Sequence, residues 1–181
     1  TVDGKSITME EDVQFAHYDS NVASLMQLGK WFDYMRENGV YDNTRIILVA
    51  DHGRGLYLNW DRVIDNGPDT DFFFPLLMVK DFNAKGFSFS DTFMTTADVP
   101  TLATSGLIDN PTNPFTGNAI NANAKYDRPF YAFMSYDWDT SKNNGNQFFP
   151  GTWYRVDNQN ARDKRNWVMV GENTVLPDAL R

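Results

Sequence analysis

An aspartate and a histidine stand side by side at the end of an apolar run, and their side chains are of the types that bind divalent metal ions. The run, RIILVA, covers residues 45–50 and is followed at once by Asp51, His52 and Gly53. A carboxylate oxygen and a neutral imidazole nitrogen are both suitable ligands for a divalent cation. Taken alone, these residues also allow a second interpretation, in which Asp51 caps the turn after the run and His52 is a surface histidine.

Other residues with useful side chains each allow two interpretations. Arg54 follows the pair, and its guanidinium group is suited to donate hydrogen bonds to a phosphate or sulfate oxygen; a solvated loop arginine is the alternative. The other histidine, His17, is expected to be a hydrogen-bonded structural residue. Three tryptophans allow either core packing of a small sheet, which we favour, or a glycan-binding surface. They are Trp138, Trp153 and Trp167.

The apolar run predicts where the aspartate and the histidine lie. An unbroken run of this kind is typical of a strand covered on both faces, as in a parallel sheet with helices on either side. In such sheets the ligand site lies at the carboxyl ends of the strands, which is where Asp51 and His52 fall. Gly53 lets the backbone turn away from the strand without a Cβ clash.

The remaining elements are predicted from the same kinds of pattern. Apolar residues at helical spacing predict a helix over residues 13–38, and Gly39 is a typical helix stop. Pro75 cannot donate to a strand ladder, so pairing of the second apolar stretch should begin at Leu76 or use a strand end. Asp98 is expected to be a capping or buried hydrogen-bonding residue. The other predicted elements, in chain order, are a second buried strand at 72–79, a helix at 92–105 capped by Ser90 and Asp91, a loop at 110–127, and short strands at 130–136, 152–157 and 167–171.

The order of motifs between residues 39 and 53 resembles a known family. A helix is followed by Gly-Val-Tyr-Asp-Asn-Thr at residues 39–44, then by the apolar strand, then by Asp-His-Gly. This order resembles the sulfatase-like branch of the alkaline phosphatase superfamily, which holds sulfatases and membrane-anchored phosphoglycerol and phosphoethanolamine transferases, including lipoteichoic-acid synthase-like proteins. Residues 74–79 and residues 96–103, with Gly106 after them, agree with that family in order and spacing.

The resemblance implies a fold and a metal site. Residues 1–127 would form the carboxy-terminal part of an α/β fold, the alkaline phosphatase-like α/β/α sandwich, and residues 128–181 a small antiparallel β subdomain. In the family, the aspartate and histidine of this motif bind the catalytic metal, so Asp51 and His52 are expected to bind a divalent Mn, Mg, Ca or Zn ion. The ion would screen the anionic oxygens of a phosphate or sulfate ester substrate, with Arg54 as a candidate substrate-binding residue.

The chain lacks the nucleophile that such an enzyme needs. It has no cysteine and no Cys/Ser-x-Pro-x-Arg motif, and the acidic ligands of the family's amino-terminal half are also absent. We therefore expect this chain to be inactive by itself and to work with a missing amino-terminal half of the same metalloenzyme. The family implies an extracytoplasmic location, periplasmic or at the cell surface, with a membrane anchor in an upstream segment. The alternative function is a catalytically incomplete module that binds a glycan or a protein.

Composition restricts the possible functions. A hydrophobic content of 41% and a charged content of 22% are typical of a globular protein, so 181 residues make one domain or a large part of one. The net charge of -8 argues against binding to nucleic acid, whose phosphates would be repelled. No apolar run in the chain approaches the ~20 residues that a membrane-spanning helix needs.

Overall fold

A computed structural model describes residues 12–56, 62–65, 67–135 and 149–180. The chain is of mixed α/β class, as predicted. The helices and strands are α1 (Asp12–Glu37), β1 (Ile46–Val49), β2 (Leu77–Lys80), α2 (Val99–Thr104), β3 (Phe130–Met134), β4 (Gly151–Val156) and β5 (Trp167–Thr174). Strand β1 pairs with β2, and β3, β4 and β5 form a second sheet; both sheets are antiparallel. Among the described residues, no helix is both long enough and apolar enough to cross a membrane.

Contacts within the chain divide it into two units, which we describe separately. The first unit contains residues 1–48 and 78–89, and the second contains residues 49–77 and 90–181. Each unit therefore combines stretches that are distant in the sequence. The domain boundary predicted after residue 127 stays a prediction.

Helix α1 is the main element of the first unit, and the helix predicted at residues 13–38 is confirmed. Gly39 ends it in the left-handed conformation, with φ at 68°, which a glycine adopts without a Cβ clash. Lys80, the last residue of β2, donates hydrogen bonds from Nζ to the carbonyl oxygens of Tyr41 and Thr44. These bonds hold the connection between α1 and β1 beside the end of β2.

Strand β1 is shorter and more exposed than its sequence predicts. Just after it, Ala50 donates its N–H to the carbonyl of Leu76 at 2.9 Å, and the two strands run antiparallel. Val49 is 43% exposed. The prediction of a parallel strand covered on both faces is therefore wrong for this pair. The antiparallel contact continues past the strand, since the N–H of Gly53 donates to the carbonyl of Phe72. The α/β/α sandwich implied by the family resemblance stays a proposal.

The core of the second unit is built on the sheet of β3, β4 and β5. Phe73 packs against this core, and its ring centroid lies 5.0 Å from that of Trp167. The indole N–H of Trp167 donates to the carbonyl of Ala161 at 2.8 Å, so the polar atom of this buried side chain is satisfied. The buried apolar residues of the core are Ala132, Tyr154, Val156 and Trp167.

The three short strands predicted for the last third of the chain are confirmed as β3, β4 and β5. Strand β3 pairs with β4 and β4 pairs with β5, so strands that are consecutive in the sequence lie side by side. Residues 157–166, most of them polar, connect β4 to β5. The ring of Trp153 packs 4.8 Å from that of Phe133. Core packing is therefore the correct interpretation for Trp167. Trp153 is half-buried and pairs with Phe133 on the face of the sheet opposite to the buried Ala132 and Tyr154, so both interpretations stay open for it. Trp138 lies outside the described residues.

The stretch before β2 begins with a turn and not with the predicted strand. Thr70–Phe73 form a 3-10 turn, and the carboxylate of Asp69 caps it by accepting the N–H of Asp71 at 3.0 Å. Consecutive phenylalanines are typical of a strand, but here the capping side chain decides the local conformation. Pairing with the residue after β1 begins at Leu76, directly after Pro75, as predicted.

Helix α2 is shorter than the helix predicted at residues 92–105. A 3-10 turn at Thr96–Asp98 precedes it, and Ser90 and Asp91 lie before that turn, so their predicted capping role is wrong. The position of Pro100 explains the late start. Proline has no N–H to donate and is tolerated in the first helical turn, where N–H groups have no helical partner.

Asp98 is a buried hydrogen-bonding residue, as predicted. Its carboxylate accepts the backbone N–H of Thr95 at 2.7 Å and an N–H of the Lys125 ammonium group at 3.0 Å. Burial alone would raise the pKa of Asp98, but these hydrogen bonds outweigh it and hold the pKa below the ordinary 3.8. The ionised carboxylate therefore stabilises the fold.

We expect Asp98→Asn to lower the free energy of unfolding by about 1–3 kcal/mol at pH 7, since a charge-assisted bond to Lys125 is lost. Because the folded pKa is lowered, the stabilisation is present at neutral pH and is lost as the pH falls below 3.8 through the folded pKa. Urea unfolding at a series of pH values measures this. Asp109→Asn, at an exposed aspartate, is the control. Equal stability of Asp98→Asn and the wild type at pH 7 would contradict the prediction.

Candidate metal centre

Asp51 and His52 lie directly after β1, and both side chains are open to solvent. The side chain of Asp51 is 90% exposed and that of His52 is 67% exposed. Asp51 Oδ1 accepts the backbone N–H of His52 at 2.9 Å and lies 3.8 Å from His52 Nε2. The structure therefore brings the two predicted ligands together on an accessible surface of the second unit.

The hydrogen bond of the His52 ring fixes which nitrogen is available to a ligand. Nδ1 lies 2.7 Å from the carbonyl oxygen of Gly53. A carbonyl oxygen only accepts, so Nδ1 carries the proton and Nε2 keeps its lone pair. In the neutral ring, the free nitrogen is therefore the one that lies near the carboxylate of Asp51.

The spacing of the two donor atoms fits a shared cation after a small movement. Oxygen and nitrogen ligands about 2.0–2.2 Å from one ion lie about 3.3–3.6 Å apart at a tetrahedral angle. The observed separation of Asp51 Oδ1 and His52 Nε2 is 3.8 Å. A small rotation of the exposed Asp51 side chain would close this difference while His52 Nδ1 keeps its bond to Gly53.

Gly53 holds the loop of Asp51 and His52 close to the 3-10 turn at Thr70–Phe73. Its N–H donates to the carbonyl of Phe72 at 2.9 Å. A Cβ atom at position 53 would lie 2.0 Å from the carbonyl oxygen of Asp71. The glycine predicted to avoid a Cβ clash is therefore required here by the close approach of another backbone segment.

The two arginines near this loop differ in what they contact. Arg54 is exposed, and its guanidinium carbon lies 5.8 Å from the ring centroid of Phe72. Arg54 makes no ion pair with a described residue, so its substrate-binding role stays a prediction. Arg62 forms an ion pair with Asp71 and lies over the ring of Phe74. No sequence motif indicated Arg62, because its partner is set by the folding of the turn.

Within the described part of the chain, no group of three or more His, Cys, Asp or Glu side chains is arranged to hold a metal ion. Asp51 and His52 thus supply two donors, and a bound ion would take its other ligands from water or from other residues. His17 lies half-buried in α1, and its structural role stays a prediction.

No protein-family model, curated protein or solved structure matches this chain. The resemblance to the sulfatase-like branch therefore rests on the order of motifs in the sequence.

Proposed function

We propose that Asp51 and His52 are ligands of a divalent metal ion in a sulfatase-like hydrolase or a phosphoglycerol or phosphoethanolamine transferase. In this proposal, residues 1–127 belong to the carboxy-terminal part of an alkaline phosphatase-like α/β/α sandwich. The observation that carries the proposal is the pairing of Asp51 Oδ1 with His52 Nε2 at 3.8 Å, both exposed at the end of β1. Metal binding accounts for this pair better than capping, because among the described residues the carboxylate accepts a hydrogen bond only from the adjacent N–H.

The residues of this chain would bind the ion and keep its ligands in place. Asp51 offers a hard anionic oxygen, and His52 offers the neutral Nε2, whose orientation is set by the bond from Nδ1 to Gly53. This mixed donor set accepts Mn, Mg, Ca or Zn, and the imidazole favours Mn or Zn. When bound, the ion would supply Lewis acidity toward the oxygens of a phosphate or sulfate ester. Arg54 would donate hydrogen bonds to the same oxygens.

The nucleophile in this proposal is a Ser, Thr or formylglycine outside this chain, in an amino-terminal half of an extracytoplasmic, membrane-anchored protein. Its hydroxyl oxygen would bond to phosphorus or sulfur while the bond from that atom to the alcohol oxygen of the ester breaks, so the alcohol leaves and a covalent intermediate remains. The phosphoglycerol transferase branch is slightly favoured over the sulfatases. The competing hypothesis of an aromatic binding module loses part of its support, because Trp167 is buried in the core on the sheet of β3, β4 and β5.

The experiment compares Asp51→Ala and His52→Ala in the full-length protein that contains this chain. Each variant should lose bound metal and about a hundredfold of its hydrolysis of bis(p-nitrophenyl) phosphate or p-nitrophenyl sulfate. Asp109→Ala, at another exposed aspartate, should keep its bound metal and its hydrolytic activity. Because the mutated side chains are exposed, the free energy of unfolding should change by less than about 0.5 kcal/mol. Full metal content and activity in both variants would overturn the proposal.

A further inference from the structure

A second candidate site lies in the second unit. The residues that line it are not among the described contacts of Asp51 and His52. It is an open cavity of about 380 Å³ between residues 126–129, which lead into β3, and residues 156–159, which follow from the end of β4. Gln159 Nε2 donates to the carbonyl of Tyr126 at 2.9 Å and so links the two walls. This volume lies within the usual range for small-molecule sites.

Two charged side chains in the lining of the cavity have no described partner. Asp127 and Arg128 are both exposed, and neither side chain forms an ion pair or hydrogen bond with a described residue. Asp157, on the opposite wall, is already paired with Arg155 through bonds of 2.7 and 3.1 Å. The unpaired carboxylate and the unpaired guanidinium group are therefore free to accept and to donate hydrogen bonds to a ligand.

The wall formed by residues 157–159 adopts an unfavourable backbone conformation. Asn158 and Gln159 are consecutive non-glycine residues in the left-handed region, with φ values of 57° and 53°. Left-handed conformations cost free energy for residues with a Cβ atom and are concentrated at functional sites. Asn158 Nδ2 also donates to Oδ1 of Asn166 at 3.1 Å, which helps to hold this wall in position.

The charges of the lining select the class of ligand. The carboxylate of Asp127 is balanced by the guanidinium group of Arg128, and Asp157 is balanced by Arg155, so neither an anion nor a cation is favoured overall. Apolar groups are present beside these polar ones, at Pro129 and Tyr126, both of which are exposed. The cavity therefore suits a small, uncharged ligand that has hydroxyl groups at its edge and C–H groups on its face.

We propose that this cavity binds a neutral sugar ring, such as the terminal monosaccharide of a glycan. The carboxylate of Asp127 accepts hydrogen bonds from neighbouring hydroxyl groups, and the guanidinium group of Arg128 donates to their oxygens. The C–H face of the ring packs on the apolar part of the lining. This site is independent of the proposed metal centre, so failure of either proposal leaves the other standing.

The test is titration of the full-length protein that contains this chain with the methyl glycosides of glucose, galactose, mannose and N-acetylglucosamine, with binding measured by saturation-transfer NMR and calorimetry. At least one glycoside should bind with a Kd on the order of 1 mM. Asp127→Asn and Arg128→Gln should each raise that Kd about tenfold, because each removes a charge-assisted hydrogen bond. Asp109→Asn is the matched control and should leave the Kd unchanged.

Several results would overturn the proposal. Inorganic phosphate and glycine are included as anionic and zwitterionic probes, and binding of either in preference to every glycoside would assign the cavity to a different ligand class. Absence of glycoside binding up to about 50 mM, some tens of times the expected Kd, would exclude a sugar site. Equal Kd values for the wild type and both variants would place any binding elsewhere. Melting curves confirm that each variant is folded before its Kd is compared.

Discussion

Trp167→Ala is expected to lower the free energy of unfolding by about 3–5 kcal/mol, the range found for large aromatic residues removed from protein cores. Trp167 is 6% exposed and lies between the rings of Phe73 and Tyr154, at centroid distances of 5.0 and 6.0 Å. The substitution also removes the donor to the carbonyl of Ala161. Urea unfolding followed by circular dichroism measures the change.

Val168→Ala is the matched control for this prediction, since Val168 is the next residue of β5 and is 39% exposed. This variant should lower the free energy of unfolding by less than about 1 kcal/mol, mainly because alanine has a lower strand propensity than valine. Trp167→Phe should fall between the two, because it keeps an aromatic ring but loses the indole N–H. If Trp167→Ala lowered the free energy of unfolding by less than about 1 kcal/mol, the stability of the sheet of β3, β4 and β5 would not depend on this residue.

Gly53→Ala is expected to destabilise the chain by about 3 kcal/mol, the upper end of the usual cost of overpacking. The added Cβ would lie 2.0 Å from the carbonyl oxygen of Asp71 and 2.7 Å from that of Phe74. Both obstacles are backbone atoms, so no side-chain rotation relieves the clash and the loop must move. Since this loop carries Asp51 and His52, Mn²⁺ binding measured by electron paramagnetic resonance on the full-length protein should weaken as well.

Gly29→Ala separates this effect from a general effect of replacing glycine. Gly29 lies within α1, and a Cβ atom there would have no atom within 4 Å apart from its chain neighbours and the backbone of its own helix. Alanine is the better helix former by roughly 0.5–1 kcal/mol, so this variant should be more stable than the wild type. If Gly53→Ala also kept the wild-type stability, the close approach of the loop to Asp71 would not exist in solution.

Much of the secondary structure could be predicted because the relevant signals are local. The apolar spacing of residues 13–38 and the glycine after them predict α1 and its end. The strands β3, β4 and β5 are separated by polar connections and contain aromatic and β-branched residues, which are typical of antiparallel strands. The adjacent positions of Asp51 and His52 predict a shared ligand site, and the structure places their donor atoms 3.8 Å apart.

The features that could not be predicted depend on residues distant in the sequence. An apolar run such as that of β1 occurs both in buried parallel strands and in exposed antiparallel pairs. The direction and burial of β1 therefore depend on its partner strand and could not be predicted from the run itself. The 3-10 turn after Asp69 was not predicted, because its phenylalanines are typical of a strand. The cavity near Asp127 forms because the end of β4 turns through two left-handed residues, and only the tolerance of asparagine for that conformation at Asn158 pointed to it.

The contact between Phe73 and Trp167 has a consequence for synthesis of the protein in the cell. A ribosome adds about 5–20 residues per second, and Trp167 emerges roughly a hundred residues after Phe73. For several seconds, Phe73 is therefore outside the ribosome without the indole ring against which it packs. During that interval this segment is a natural binding site for a chaperone.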